Sequence, residues 1–196
     1  MLTPHGSVPF IGAACLVIAV SASSPAQDQT LGLAIGDPAR RDKKAPIVLD
    51  AITDTSDAAL LTPAELAQRL GGVRLLLAGE EHTSIEAHRV QLRVIQALVA
   101  AGRQVILGLE MYPYTAQTDL DAWPSGTQSE DEFVKASRWY EHWGYNWHYY
   151  RDIFLFARTH RLPLYALNIP REVVSAVRRK GLAGLGEAER AHVPIE

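Results

Sequence analysis

Three apolar runs separated by stretches of helical periodicity constrain this chain more than any other feature. Residues 73–78 are apolar apart from Arg74, residues 105–109 form a second run, and residues 162–167 a third. Short apolar runs of this kind are the pattern of strands buried on both faces of a sheet. Between the first two runs Ser84 stands at an N-cap position. Val90, Val94, Ile95, Leu98 and Val99 then recur at helical spacing up to Gly102. After the third run Pro170 opens a helix that Gly181 terminates. The expected fold is α/β, a mainly parallel sheet of at least three strands flanked by helices. A helical insertion over residues 116–160 separates the second and third core strands. In it Ser129-x-x-Glu132 is a capping box leading into residues 133–143, Gly144 breaks the run, and residues 147–159 resume it.

Upstream, Thr62-Pro63-Ala64-Glu65 combines an N-cap, a proline at the first helical position and a capping-box glutamate. This predicts a helix to Leu70, stopped by Gly71-Gly72. Residues 47–49 read as a short strand, and residues 27–44 as a flexible linker, being polar and rich in Gly, Pro and charge. Residues 1–26 hold no Lys, Arg, Asp or Glu. Residues 8–20 are almost wholly apolar, and residues 21–26 are small and polar. This is the pattern of a signal peptide cut after Ser23 or Ala26, and it places the protein in the periplasm or at the outer membrane. An apolar run of about 13 residues falls short of the roughly 20 that span a bilayer. Gly12-Ala13-Ala14 before Cys15 partly fits a lipidation box, which would attach the chain to a membrane. Most of the apolar run follows Cys15, so ordinary cleavage is the favoured reading. The folded domain is expected over residues 45–196.

With 19 basic and 22 acidic residues and no long Lys/Arg run, the chain lacks a nucleic-acid footprint. Its one cysteine excludes an internal disulfide and a cysteine-rich metal site. Ligands of parallel sheets sit beyond the carboxyl ends of the strands. There the first run delivers Gly79, Glu80 and His82, the second Glu110 and the third Asn168, with His88 a turn or two beyond His82. Imidazole and carboxylate at one edge suit a metal, His82 and Glu110 as ligands and Glu80 as general base. Ion pairing of the glutamates with Arg89 or Arg171 is the structural alternative.

A second constellation, residues 139–150, holds seven of the chain's Trp and Tyr residues together with His142 and His148. Positions 139, 143, 147 and 150 share a helical face and read as core. Tyr140, Tyr145, His148 and Tyr149 are left outside that stripe. Flat aromatic walls with phenol or imidazole ligands suit a macrocycle such as haem, although composition alone favours a core role.

Ala78-Gly79-Glu80-Glu81-His82, then Leu107-Gly108-Leu109-Glu110-Met111, Trp143-Gly144 and Asn168-Ile169-Pro170-Arg171 resemble, in order, the ChaN family of haem-binding uptake proteins. That family belongs to the superfamily of the Tiki metalloproteases and the erythromycin esterases. The resemblance implies an exported, dimeric α/β protein of bacterial iron or haem uptake that binds haem. It carries Gly79, Glu80, His82 and Glu110 as motif positions. Tyr145, His148 and Tyr149 stand as candidate iron ligands, and Arg151 and Arg171 as candidate partners of the propionates. The rival reading from the same superfamily is a hydrolase dependent on a divalent metal such as Mn, Co or Zn. A third is an interaction module whose aromatic patch binds a protein. The family pattern continues into a second Gly-x-x-His, so the chain reads as a fragment or a shortened member.

Overall fold

The computed structural model describes residues 30–34, 37–48 and 51–193. The expected signal peptide and Cys15 lie outside these. The chain divides into two compact units, residues 1–49 and 50–196. In the first, β1 (Thr30–Gly32) pairs antiparallel with β2 (Lys44–Pro46). Part of the stretch read as linker is thus a two-stranded ribbon, and the strand expected at residues 47–49 falls at 44–46 instead.

The second unit opens with β3 (Ile52–Thr53) and β4 (Leu60–Leu61), an antiparallel pair. The capping box forms as read. Thr62 Oγ1 accepts from the Glu65 amide, the Glu65 carboxylate accepts from the Thr62 amide at 2.7 Å, and α1 spans Pro63–Arg69. Ser84 caps α2 (Ile85–Ala100) by accepting from the Ala87 amide. β5 (Leu107–Pro113) and β6 (Leu164–Asn168) are the second and third expected strands, and they pair in parallel, Leu107 opposite Leu164 and Leu109 opposite Ala166.

The insertion between them is helical but more broken than its pattern suggests. It contains α3 (Gln117–Asp121), α4 (Glu130–Ala136), α5 (Trp139–His142) and α6 (Arg151–Thr159). α7 (Arg171–Lys180) follows Pro170 and stops at Gly181, whose φ of 68° is the left-handed conformation glycine supplies. α8 (Glu187–Arg190) is the last helix among the described residues. Among the described residues no helix is long and apolar enough to cross a membrane.

Two expectations need correction. Residues 73–78 are not paired as a strand, so the parallel ladder has two members among the described residues. Their ends are tied elsewhere. The Arg103 guanidinium donates to the carbonyls of Leu70, Gly71 and Val73, and Gln91 Nε2 donates to that of Ala78. The sheet is also buried on one face only. Leu109, Met111, Leu164 and Ala166 point into the core, whereas Tyr165 and Leu167 on the opposite face are 51% and 64% exposed.

The core therefore sits between one sheet face and the helical insertion. It is aromatic: Tyr112, Trp123, Phe133, Trp139, Tyr150 and Phe154 are all buried, and Trp139 meets Trp147 edge-on at 5.0 Å. The stripe read as core at 139, 147 and 150 is core, with Trp143 half-buried against it.

Candidate functional site

Glu80 is the centre of the polar cluster. It lies on the loop after the first apolar run, and its side chain is only 12% exposed. A carboxylate so placed is expensive unless donors surround it. Tyr150 Oη donates to Oε1 at 2.6 Å, His82 Nδ1 lies 2.9 Å from the same oxygen, and Gln91 Nε2 donates to Oε2 at 3.0 Å. Burial alone would raise the Glu80 pKa. The bonds from Tyr150, His82 and Gln91 outweigh burial and hold it below the ordinary glutamate value. The same bond, with burial as the larger cause, pushes the Tyr150 hydroxyl well up.

An ionised carboxylate only accepts, so His82 Nδ1 donates to Glu80 and Nε2 is the ring nitrogen left on the far side. That nitrogen lies 4.0 Å from Glu110 Oε1, a carboxylate 61% exposed at the end of the apolar run in β5. The sheet edge thus brings His82 and Glu110 together as expected. Asn168 joins them from β6, its Nδ2 donating to the Glu110 carbonyl at 3.0 Å. The His82 ring is held edge-on to Trp143 at 4.8 Å and tilted against Tyr145 at 4.7 Å.

His88, by contrast, is buried. Its Nε2 stands 3.0 Å from Glu80 Oε2, yet the angle is wrong for a hydrogen bond, and both ring nitrogens lack a hydrogen-bond partner among the described residues. The charge of His88⁺ would reach Glu80, so the ring serves the interior of the cluster rather than its open side.

The aromatic candidates separate. Tyr145 is exposed and touches His82, whereas His148 is exposed with no ring contact among the described residues. Tyr149 is half-buried and stacks on His88 at 6.2 Å. Arg151 is committed to Glu130 at 2.7 Å, while Arg171 is exposed and without an ion pair among the described residues. Neither Arg89 nor Arg171 pairs with Glu80 or Glu110; Arg89 pairs with Glu86. Gly79 has open space around it.

Sequence reasoning missed Tyr150, Trp143 and Gln91 as members of the site. Tyr150 was absorbed by the core stripe, which is right for its ring; only its hydroxyl leaves the core. Gln91 follows His88 by three positions on α2, the one signal that could have found it.

Chemically, the cluster offers one oriented imidazole nitrogen between aromatic rings, with a carboxylate behind it and another in front. Glu80 has both oxygens occupied and a lowered pKa, which suits an anchor better than a general base. Among the described residues no group of three His, Cys, Asp or Glu side chains could hold a metal ion, so His82 and Glu110 remain a pair.

Residues 66–196 match the family model described as haem-binding uptake, Tiki superfamily, ChaN. A solved structure, described as cofacial heme binding to ChaN of Campylobacter jejuni, matches 66% of this chain at 20% identity with a TM-score of 0.57. The match covers 52% of that protein, so this chain spans about half the length of the solved relative. Its likeness is one of fold. No curated protein matches.

Proposed function

This chain belongs to the ChaN family of haem-binding uptake proteins in the Tiki superfamily, and from that premise we propose that it binds haem at the edge formed by His82, Trp143 and Tyr145. The observation that carries the proposal is the orientation of His82. Its Nδ1 is tied to Glu80 at 2.9 Å, and its free Nε2 faces the open side. An imidazole whose far nitrogen is held by a carboxylate is a pre-set iron ligand, since the second bond fixes the ring and raises its basicity.

The residues present fit the group. Trp143 and Tyr145 supply flat apolar surface beside the ligand nitrogen. Tyr145 Oη is a second candidate ligand, and Arg171, without an ion pair among the described residues, opens the helix just after Asn168, where it can serve as a propionate partner. His148 and Arg151 have no part in this arrangement. Haem, when bound, supplies the iron; the chain's own work is to orient His82 and to cover one side of the ring.

The leader-like residues 1–26 support an exported protein, in the periplasm or at the outer membrane, where capture of haem would serve iron uptake. A homodimer belongs to the same reading. So does attachment through Cys15, with ordinary cleavage favoured over it.

Titration of the purified chain with haemin, followed at the Soret band, tests the assignment. The wild type is expected to give a saturable shift. His82→Ala is expected to weaken it about ten-fold or more and to move the bound maximum, whereas His148→Ala leaves both unchanged. A wild-type chain with no Soret change, or a His82→Ala chain that titrates like the wild type, would overturn the proposal.

A further inference from the structure

One carboxylate at the proposed haem site has no task there. Glu80 is spent, since Tyr150, His82 and Gln91 meet its two oxygens and His88 stands 3.0 Å from one of them. Glu110 is not. Among the described residues no hydrogen bond reaches its carboxylate, and the one basic side chain within ion-pairing distance is His82, whose Nε2 lies 4.0 Å from Oε1.

An irregularity of the sheet puts Glu110 in this position. The ladder runs to Leu109 opposite Ala166 and then shifts register to Pro113 opposite Asn168, so more of β5 than of β6 lies between the two pairings. Such bulges re-aim the side chains they contain. Leu109, Met111 and Tyr112 are buried in the core, whereas the Glu110 side chain is 61% exposed. The Glu110 carbonyl is taken up by Asn168 Nδ2 at 3.0 Å, and Asn168 Oδ1 in turn accepts from the Ile169 amide at 2.9 Å. The bulge is therefore held in shape.

The surroundings let this charge act. Glu80, His82 and Glu110 line part of a cavity of about 660 Å³ beside β5, and much of the remaining lining is apolar, Leu75 and Leu77 included. Charges of one sign beside low-dielectric walls act over longer distances. The two arginines of the lining, Arg74 and Arg103, pair with neither glutamate among the described residues, and Arg103 donates instead to the carbonyls of Leu70, Gly71 and Val73. Tyr150 feels the field. Burial is the first cause that raises its hydroxyl, and the charges of Glu80 and Glu110 add to it.

From this arrangement, and resting on the haem reading, we propose that Glu110 makes the site selective for the oxidised, ferric form of haem. A porphyrin ring binds its metal as a dianion. With a trivalent metal it keeps a net positive charge at its centre, and with a divalent metal it is neutral there. A carboxylate 4.0 Å from the ligand nitrogen of His82 attracts the first and does little for the second. The flat surfaces of Trp143 and Tyr145 and the propionate contact of Arg171 do not sense the metal, so they cannot make this distinction.

Gallium(III) and zinc(II) protoporphyrin IX test the charge apart from the shape. Ring and propionates are the same in both, and neither metal changes oxidation state. Each is titrated into the purified chain and followed by porphyrin fluorescence. Glu110→Gln is expected to weaken the gallium form about five-fold and to leave the zinc form within about two-fold. Zinc binding is thereby also the control for folding. The difference should shrink in about 1 M KCl, where exposed charges are screened. With haem itself, the midpoint potential of the bound iron should rise by about 40 mV in Glu110→Gln, the same five-fold expressed for one electron.

Three results would overturn the role of Glu110 alone. Equal losses of the gallium and zinc forms would mean that the residue shapes the site without sensing charge. A gallium loss that persists undiminished in 1 M KCl would mean that the carboxylate coordinates the metal directly. Unchanged affinities and potential would leave it no part in binding. A wild-type chain that binds neither porphyrin is a separate outcome, and it would overturn the haem reading together with this proposal.

Discussion

Glu80 shows how one residue binds the interior of this protein to its open edge. Its carboxylate ties a core tyrosine, a helix glutamine and the exposed His82 together, so the loop after residue 79 cannot shift without leaving donors unmet. Glu80→Ala should destabilise the chain by about 2–3 kcal/mol, and Tyr150→Phe, which removes one donor, by about 1 kcal/mol, both measured by urea unfolding. The pH dependence follows from the lowered Glu80 pKa. The folded state prefers the ionised form, so this stabilisation is complete above the unfolded-state value and is lost as pH falls through the folded one. Unfolding free energy should thus fall between neutral pH and the acid range, and Glu80→Gln should flatten that fall; an unchanged slope would count against the hub. At this scale much of the site was legible, because the residues that follow an apolar run have few places to go. Tyr150 was not, since a helical pattern reports where a ring packs and says nothing of where its hydroxyl ends.

At the scale of elements, local chemistry set the helix starts and tertiary geometry set the breaks. Thr62, Ser84 and Ser129 each cap the helix their sequence context predicts. The capping box at Ser129 matters beyond α4. Glu130, the first helical residue, accepts from Trp147 Nε1 at 2.8 Å and from Arg151 Nε at 2.7 Å, pinning the aromatic stretch to α4. Ser129→Ala should cost about 1 kcal/mol and also reduce the near-ultraviolet circular dichroism of the tryptophans. A stability loss with an unaltered aromatic spectrum would show that the cap and the aromatic stretch are uncoupled. The break between α4 and α5 carried no signal in the sequence. It falls at Arg138, which adopts a left-handed φ of 51° that nothing in an arginine announces. The aromatic residues on either side must face one core, and their packing imposes the turn.

On the scale of the whole molecule, the feature that decides the rest is a sheet with one covered face. The apolar runs at 105–109 and 162–167 do become parallel neighbours, but an apolar run alone cannot tell a strand buried on both sides from one whose second face is open. The run at 73–78 is the sharpest case, being as apolar as the others yet unpaired, because contacts from Arg103 and Gln91 hold its ends. Stability should therefore reside on one side of β5 and β6. Trp139 is fully buried among Tyr112, Trp147 and Phe154. Trp139→Ala should cost about 3–5 kcal/mol, the range for a large aromatic lost from a packed interior. Leu75→Thr, at a position 76% exposed, should change stability by no more than about 0.5 kcal/mol despite removing an apolar side chain from an apolar run. Both are read from the urea midpoint of the isolated chain at constant slope. If Leu75→Thr cost as much as a core substitution, the run at 73–78 would be buried in solution. The cavity beside β5 would then be closed in solution, since the same exposed leucines line it.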